Sequence, residues 1–547
     1  MDDSKFLHVN HVTVYSKEKD TNEKFRLAKV FQNGIVLQRA PERANIFGFA
    51  PLGTFVTVTI IKNGERHDMG NVTVAVESCL KGTWSLNIGA WEAGSDYSIE
   101  ITNSGQGIQT QTILLESVSF GEVWFCAGQS NMEQQLNTGY ELRNRTAEIE
   151  KAKTYNNIKL LYVIGTKQKE LHYDRDYRLN WVEPAVGLVD YQFSAICMIF
   201  GELLYDELKV PIGLIDSTFG GTALEEWSPP GALKKCGLID ESDAGVLWNS
   251  MIHPLLKMTI KGVIWYQGEN NAGYPGDYHG RNRDHYGCMF TRFIEAWRKE
   301  SFVKTGNGTI EEFPFGFVQL AAWHIGGLNL AWPKLRWQQT TRHGQVPNKH
   351  QPNVFMATAI DSDHDLHPQS KRPTATRLYW AALNIAYGQS EKPLQSPYVT
   401  NITVNDKNNL IATFSTDVAL KETRDKDPVH SEVEREPIRE SFSVCCLENT
   451  EECDSDTYLT YVQPISSTNT LVYGQGWKSV QIERQINSRS VEISTDNVCG
   501  EQKNVTSVAV GWRESPCLEE ECQLTSADKY KLPLLPMKMD IGKGIYF

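Results

Sequence analysis

Four short segments rich in glycine and polar residues carry the side chains that could do chemistry in this chain. They cover residues 128–132, 217–222, 267–271 and 361–368. Each directly follows an apolar run with the length of a buried strand. Ligands of open parallel sheets bind beyond the carboxyl ends of the strands. Four such loops at one sheet edge therefore predict an active site.

Two side chains in these loops fit the transfer of an acyl group. Ser130 is the candidate nucleophile, placed between Gly128 and a polar stretch. His367 is the candidate general base, which would take the serine proton and return it to the leaving alcohol. The pair predicts a serine esterase.

Other residues of the same loops could stabilise the oxyanion that forms during acyl transfer. Gly220 or Gly221 can present a backbone N–H because no Cβ blocks the approach of a carbonyl. The side-chain amide of Gln267 could donate as well. The N–H of Ser130 would lie near the start of a helix predicted over residues 133–153, where partial positive charge favours an anion.

Each feature also has a structural interpretation when it is taken alone. A lone Ser130 is more often a helix cap, the glycine pair is a common turn, and His367 could cap the next helix. The active-site hypothesis depends on all four loops reaching one edge. Met132 occupies the last glycine position of a Gly-x-Ser-x-Gly elbow, which disfavours an α/β-hydrolase. A metal site at His364, Asp365 and His367 is also disfavoured, and no cofactor is expected.

The elements that must position these loops change character along the chain. After an N-terminal extension (residues 1–24), residues 25–116 show short alternating runs that predict a β-sandwich domain. Residues 117–395 alternate apolar strands with helical patterns, which predicts an α/β domain with a doubly wound parallel sheet. Residues 396–547 revert to a β-rich pattern.

The individual elements can be placed from their periodicity. The predicted strands of the parallel sheet cover residues 123–127, 158–164, 212–216, 262–266, 315–320 and 354–360. The clearest predicted helices cover residues 192–208, 284–301 and 370–387. Predicted strands of the C-terminal domain cover residues 401–404, 410–414, 470–473, 491–494 and 507–512.

Composition narrows the classes of partner and compartment. The chain has 547 residues, 40% hydrophobic and 22% charged, with a formal net charge of −13. This acidic balance makes nucleic acid an unfavourable partner, and no segment has the length and apolarity of a membrane span. Six of the 11 cysteines fall in residues 445–522, which predicts a disulfide-stapled region. We therefore expect a lysosomal or secreted protein, although no signal peptide is visible, and a buried thiol at Cys197.

Several motifs together resemble the sialate O-acetylesterases, a family of SGNH-type carbohydrate esterases. The matching segments are residues 31–39, 121–132, 249–255, 265–270, 317–320, 366–368, 512–517 and 532–533. The resemblance implies a flavodoxin-like SGNH-hydrolase sheet flanked by N- and C-terminal β-rich domains. It also implies that Ser130 attacks an acetyl carbonyl, that His367 is the base, and that Gly220 or Gly221 completes the oxyanion hole with Gln267, which stands where many SGNH enzymes have Asn.

The acid of the triad has two candidates under this resemblance. SGNH enzymes commonly place an Asp three residues before the His, but His364 occupies that position. Asp365 is the first choice, and Glu269 is the alternative because related acetylesterases are thought to use that Glu.

The resemblance implies removal of O-acetyl groups from sialic acids through an acetyl-enzyme. The alternatives are an esterase acting on another carbohydrate, such as acetylated xylan, and a catalytically inactive carbohydrate-binding protein. A sialic acid carboxylate favours an arginine fork, for which Arg336, Arg372 and Arg377 are candidates that also fit surface positions. Trp227 and Trp323 could stack on a sugar or lie in the core.

Overall fold

The computed structural model describes most of the chain, and the fold below refers to those residues. They are residues 24–77, 80–136, 144–190, 193–239, 241–273, 281–323, 330–363, 365–421, 441–446, 453, 477–495, 498–499, 505–517 and 521–541.

The N-terminal region is built from strands that alternate buried and exposed residues. On β4, Val56, Val58 and Ile60 are fully buried while the threonines between them are partly exposed, as expected for one face on the core. One sheet has the order β1-β3-β7-β6, and β5, β4, β8 and β9 pair in a second, with β2 on β9. The strands are β1 (Arg26–Leu27), β2 (Val36–Gln38), β3 (Asn45–Phe49), β4 (Phe55–Lys62), β5 (Glu65–Thr73), β6 (Ala75–Glu77), β7 (Leu80–Asn87), β8 (Gly94–Ser104) and β9 (Gln111–Gly128).

Strand β9 belongs to both the N-terminal region and the central sheet. Its first half pairs with β8, for example Leu115 with Ile99. Its second half lies between the parallel strands β12 and β13, with Phe125 opposite Ile215 and Val263. A single strand of 18 residues thus crosses the boundary predicted at residues 116–117, and the domain division itself stays a prediction.

The central sheet has the order β11-β10-β12-β9-β13-β14-β15, and all neighbours are parallel except β10 and β11. When β10, which extends the sheet beside β12, is left out of the numbering, strands β12, β9, β13, β14 and β15 have the flavodoxin-like order 2-1-3-4-5. Its central strands are buried on both faces because helices cover the sheet. The predicted α/β class is therefore confirmed. The strands are β10 (Ile158–Val163), β11 (Tyr177–Val182), β12 (Ile212–Thr218), β13 (Gly262–Tyr266), β14 (Phe315–Gln319) and β15 (Val354–Thr358).

The helices agree with most of the predicted ones, with one clear exception. They are α1 (Ser130–Glu133), α2 (Arg145–Ala152), α3 (Pro184–Asp190), α4 (Ala195–Leu208), α5 (Leu224–Trp227), α6 (Pro230–Lys234), α7 (Glu269–Ala272), α8 (Tyr286–Lys304), α9 (Ala331–Gln339) and α10 (Arg372–Tyr387). A π-helical turn spans Trp248–Ile252, and 3-10 turns span His253–Leu255 and Arg283–His285.

The continuous helix predicted over residues 133–153 is wrong. Helix α1 ends after one turn, and Gln135 then forms a β-bridge with Ser194. Leu136 is fully buried and donates its backbone N–H to Phe193. Pairing with the segment that precedes α4 thus overrides the helical tendency of this polar stretch.

The described residues contain five disulfides. They join Cys126–Cys197, Cys236–Cys288, Cys445–Cys453, Cys446–Cys499 and Cys517–Cys522. The predicted stapling of the C-terminal cysteines is confirmed. The buried free thiol predicted at Cys197 is wrong, because this residue on α4 is bonded to Cys126 on β9, 71 residues away in sequence.

The named secondary-structure elements in the described part of the C-terminal region are all strands. Its sheets have the orders β16-β17-β22-β21, β18-β24 and β20-β19-β23-β25. The predicted strand over residues 470–473 lies outside the described residues. The strands are β16 (Val399–Val404), β17 (Leu410–Phe414), β18 (Val418–Leu420), β19 (Phe442–Cys445), β20 (Trp477–Val480), β21 (Ile482–Asn487), β22 (Ser490–Ile493), β23 (Ser507–Val510), β24 (Leu524–Ser526) and β25 (Met537–Asp540). Throughout the described ranges, none of the helices combines the length and apolarity needed to cross a bilayer.

Candidate active site

Three neighbouring strands of the central sheet end in register at one edge. Gly128 at the end of β9 is opposite Thr218 on β12 and Tyr266 on β13. Gly128 has a φ of 136°, and a Cβ there would lie 2.1 Å from the carbonyl oxygen of Tyr266. Only glycine fits this close approach, which lets the chain turn off the strand and carry Ser130 to the sheet edge.

The serine and histidine singled out from the sequence meet at this edge. Ser130 is the first residue of α1, and its Oγ lies 2.8 Å from Nε2 of His367. This is the distance needed for direct transfer of the hydroxyl proton to the imidazole. Burial lowers the pKa of His367, the charge of Lys371 lowers it further, and Asp365 opposes both effects. A lowered pKa favours the neutral imidazole, which is the form that can accept the proton.

The loop that carries the serine is fixed by the neighbouring strand. The N–H of Gln129 donates to the carbonyl of Tyr266 at 2.9 Å, and Gln129 is buried. Its side-chain oxygen accepts the N–H groups of Gly268 and Asn270, both at 3.4 Å. The end of β13 and the segment that follows it therefore fix the loop that carries Ser130 through hydrogen bonds to Gln129.

Asn131, the residue after the nucleophile, is a link that the sequence argument missed. Its Nδ2 donates to Oε1 of Glu269 at 2.6 Å and to the carbonyl of Leu366 at 2.8 Å. Its Oδ1 accepts a hydrogen bond from Nζ of Lys371 at 2.7 Å. One buried amide thus connects three segments, and its position next to Ser130 in the motif was the signal that could have found it.

Gly220 lies directly beside Ser130, where the donor predicted for an oxyanion is expected. A Cβ on Gly220 would lie 3.5 Å from Cβ of Ser130 and 2.6 Å from Oε2 of Glu133. The N–H of Gly220 donates to the Glu133 carboxylate. Burial raises the pKa of Glu133, while this hydrogen bond and the charge of Arg178 oppose the rise. Glu133 was also missed by the sequence argument.

The second glycine of the pair faces outward. Gly221 is exposed, has a φ of 68°, and a Cβ there would meet nothing within 4 Å. Its carbonyl accepts a hydrogen bond from Nδ2 of Asn270 at 3.1 Å. Of the two glycines, Gly220 is therefore the one whose backbone lies next to Ser130.

The donor role predicted for Gln267 does not agree with its contacts. Gln267 is fully buried, and its Nε2 donates to the carbonyl of Thr222 at 3.1 Å and to Oδ1 of Asn271 at 2.8 Å. Its Oε1 accepts the hydroxyl of Tyr286 at 2.9 Å. Both amide hydrogens are used inside the loop, so neither points to an oxyanion at Ser130.

The two candidate acids contact different parts of the site. Asp365 is exposed, and its Oδ1 accepts the backbone N–H of His367 at 3.1 Å. Glu269 is buried and accepts from Asn131, and burial raises its pKa against the hydrogen bond from that amide. Asp365 therefore shapes the histidine loop from its surface, whereas Glu269 supports the nucleophile loop from within.

The metal site weighed from the sequence includes a residue outside the described ranges. His364 is that residue, so the cluster with Asp365 and His367 cannot be assembled from the described part. Within the described residues, no group of three or more His, Cys, Asp and Glu side chains is placed to hold a metal ion.

Two residues proposed to contact the sugar lie in the core instead. Trp227 is fully buried, and its Nε1 donates to Oγ1 of Thr222 at 2.9 Å. Arg336 is also fully buried, and its guanidinium donates to four backbone carbonyls, two of them 177 and 178 residues further along the chain. A side chain that is saturated and closed off from the surface cannot contact substrate, so both proposals are wrong.

The remaining candidates are partly exposed. Arg377 forms a two-pronged ion pair with Asp361 at 2.6 Å, and Arg372 pairs with Glu148 and Glu202. Both guanidinium groups are thus paired with carboxylates of the protein itself. Trp323 is half-buried with its ring 4.7 Å from that of Trp332, and its contact with a sugar stays a prediction.

The sheet order, with β-rich regions on either side of the parallel sheet in sequence, defines an SGNH-type hydrolase fold. Family profiles agree with this class. One described as a carbohydrate esterase, sialic acid-specific acetylesterase, matches residues 120–374, and one described as the sialate O-acetylesterase C-terminal domain matches residues 417–541.

Similar proteins identify the family. The sialate O-acetylesterase of Mus musculus is 34% identical over 436 residues, which cover 71% of this chain and 78% of the relative. That of Homo sapiens is 36% identical and covers 68% of this chain and 73% of the relative. The chain therefore belongs to the sialate O-acetylesterase family and is a carboxylic ester hydrolase. A carbohydrate acetylesterase from Xanthomonas citri has the same fold, with a TM-score of 0.69, 23% identity, and coverage of 94% of this chain and 99% of the other.

Proposed function

We propose that this enzyme removes O-acetyl groups from sialic acids, with Ser130 as nucleophile and His367 as general base. The observation that carries the catalytic assignment is the 2.8 Å contact between Ser130 Oγ and His367 Nε2. The substrate class follows from the relatives, which are named for esters of sialic acid.

The reaction proceeds in two acyl transfers. Ser130 Oγ bonds to the acetyl carbon while its proton passes to His367 Nε2. The C–O bond to the sugar then breaks, and His367 gives the proton to the leaving sugar oxygen. Water next attacks the acetyl-enzyme, loses a proton to His367, and releases acetate as the proton returns to Ser130 Oγ. No redox partner is needed at any step.

The oxyanion is bound by the backbone N–H groups of Ser130 and Gly220. Because the Gly220 N–H donates to Glu133 in the free enzyme, the oxyanion replaces this carboxylate as the acceptor. The side-chain amide of Asn270 supplies the further oxyanion donor that was expected at Gln267. This amide contacts Gly221, the residue after Gly220, and Asn270 is partly exposed.

The experiment that tests the function compares substrates and a matched variant. Acetate release is measured from O-acetylated sialic acid and from acetylated xylan, with Ser130→Ala as the control. We expect faster release from the sialic acid ester by the wild-type enzyme and none above background by the variant. Preference for xylan would transfer the assignment to another carbohydrate.

A serine-reactive fluorophosphonate probe addresses the remaining alternative. Labelling of the wild type but not of Ser130→Ala is expected. Absence of labelling would favour an inactive carbohydrate-binding protein.

We also propose that the enzyme is lysosomal or secreted. Five disulfides are present in the described residues, and such bonds persist in oxidising compartments. Fractionation of cells that express the full gene would test this location, and recovery in the cytosol would contradict it.

A further inference from the structure

A buried lysine lies directly behind the catalytic pair. Lys371 precedes α10, has 4% of its surface exposed, and places Nζ 5.9 Å from the ring centre of Tyr266. Its Nζ donates to Oδ1 of Asn131 at 2.7 Å. Burying an ammonium group is costly unless a counter-charge and hydrogen bonds compensate, so this position calls for an explanation.

The counter-charge is reached through the amide of Asn131. Glu269 has 3% of its surface exposed, and its Oε1 accepts from Nδ2 of Asn131 at 2.6 Å. The order along the chain of contacts is therefore cation, amide, anion. The same Nδ2 also donates to the carbonyl of Leu366, the residue before the catalytic histidine.

These contacts join the two halves of the site through residues adjacent to the reacting groups. Asn131 follows Ser130, and Lys371 lies four residues after His367. We propose that Lys371 is a positioning residue for acetyl transfer, paired with Glu269 across Asn131 so that the serine loop and the histidine loop are locked together. This inference rests on the function proposed above.

The charge of Lys371 also bears on the imidazole. Burial lowers the pKa of Lys371 to about 7, against the charges of Glu269, Asp363 and Asp365. In the acidic range Lys371 is therefore charged, and its charge lowers the pKa of His367. The groups that face the lysine are those three carboxylates and the ring of Tyr266, and the imidazole itself faces Lys371 and Asp365.

A double-mutant cycle tests the pair. Lys371→Met, Glu269→Gln and the double variant are assayed for kcat and KM on O-acetylated sialic acid and on p-nitrophenyl acetate. Each single variant leaves one buried charge without its partner, so we expect a loss of about 100-fold in kcat with KM changed by less than about threefold. The double variant should recover about tenfold over either single variant because both charges are gone. Lys209→Met, directly after α4 in an exposed ion pair with Asp206, is the matched control and should retain wild-type rates.

The pH profile gives a readout that simple loosening of the site would not move. Removing the lysine charge should raise the pKa of His367, so the acidic limb of kcat/KM should shift to higher pH in Lys371→Met. Lys371→Gln keeps a donor for Asn131 and should show the same shift if the methionine variant does not fold.

Two results would overturn the inference. One is a double variant whose losses multiply, and the other is an acidic limb that stays in place in both lysine variants. Failure of the proposed function looks different, because the wild type itself would then lack Ser130-dependent hydrolysis of either ester.

Discussion

The two loops that carry the proposed catalytic pair, Ser130 and His367, are built in opposite ways. The serine loop is buried, with Gln129, Asn131 and Met132 each at 3% exposure or less. The histidine loop is partly exposed, and its carboxylates cap its own backbone, Asp365 on the N–H of His367 and Asp363 on that of Gln369.

The difference indicates how Ser130 and His367 are positioned. The serine loop takes its place from the sheet, since Gly128 and Gln129 contact β13 directly. The histidine loop is placed by side chains, through the hydrogen bond from Asn131 to the carbonyl of Leu366. Substitutions in the histidine loop should therefore lower turnover while leaving the free energy of unfolding nearly unchanged.

The largest effect is expected from removing either member of the pair. Ser130→Ala and His367→Ala should each lower kcat by about 1,000-fold or more, and the double variant should be no worse because the two act as a unit. Acetate release measures the rate, and thermal unfolding serves as the folding control. Losses that multiply would mean that the two loops act independently.

Variants of the two candidate acids compare the buried contact to the serine loop with the exposed contact to the histidine loop. Glu269→Gln should lower kcat by about 100-fold, because it disturbs the buried hydrogen bond to Asn131 next to the nucleophile. Asp365→Asn should cost less than about tenfold, since this exposed carboxylate contacts the backbone of the histidine. Steady-state kinetics on the sialic acid ester rank the two. The opposite order would make Asp365 the acid of the triad.

A smaller effect is expected at the glycine beside Ser130. The methyl group of Gly220→Ala would lie 2.6 Å from Oε2 of Glu133 and displace this flexible carboxylate. We expect about tenfold loss of kcat, less than deletion of an oxyanion donor causes, because the N–H remains. Glu133→Ala in the same chain should restore part of the loss. Gly231→Ala on α6, where a Cβ meets nothing within 4 Å, is the matched control.

The smallest effect is a shift of the pH profile. Because burial and Lys371 lower the pKa of His367, the neutral base persists below its ordinary pKa of 6.5, and the acidic limb of kcat/KM should lie below pH 6.5. Asp365 raises the pKa of His367, so Asp365→Asn should move the limb to still lower pH. A limb that moves upward would show that Asp365 does not act on the imidazole through its charge.

The sequence was sufficient for the class of fold and for the edge at which the site lies. Apolar runs alternating with helical periods are a local signal, and strands such as Gly262–Tyr266 were predicted to the residue. The meeting of Ser130 and His367 also followed, because loops after parallel strands must share an edge.

What the sequence could not provide depends on contacts between distant segments. Arg336 looked like a surface arginine because the carbonyls of residues 513 and 514 that it binds cannot be assigned from periodicity. Cys197 lacked a visible partner for the same reason. Asn131 and Lys371 carry no signal in the sequence beyond being polar, because the hydrogen bond between them joins segments 240 residues apart and forms only in the folded chain.

Strand β9 has a consequence for how this protein can be divided. Because this strand begins in the N-terminal sheet and ends at Gly128, a gene truncated at the predicted boundary would lose residues 111–116, which make most of the pairing with β8. The strand that leads to Ser130 would then stay in the parallel sheet without most of its pairing to the N-terminal sheet. Exchange of the N-terminal region between relatives should therefore succeed only when all of β9 is exchanged together with it.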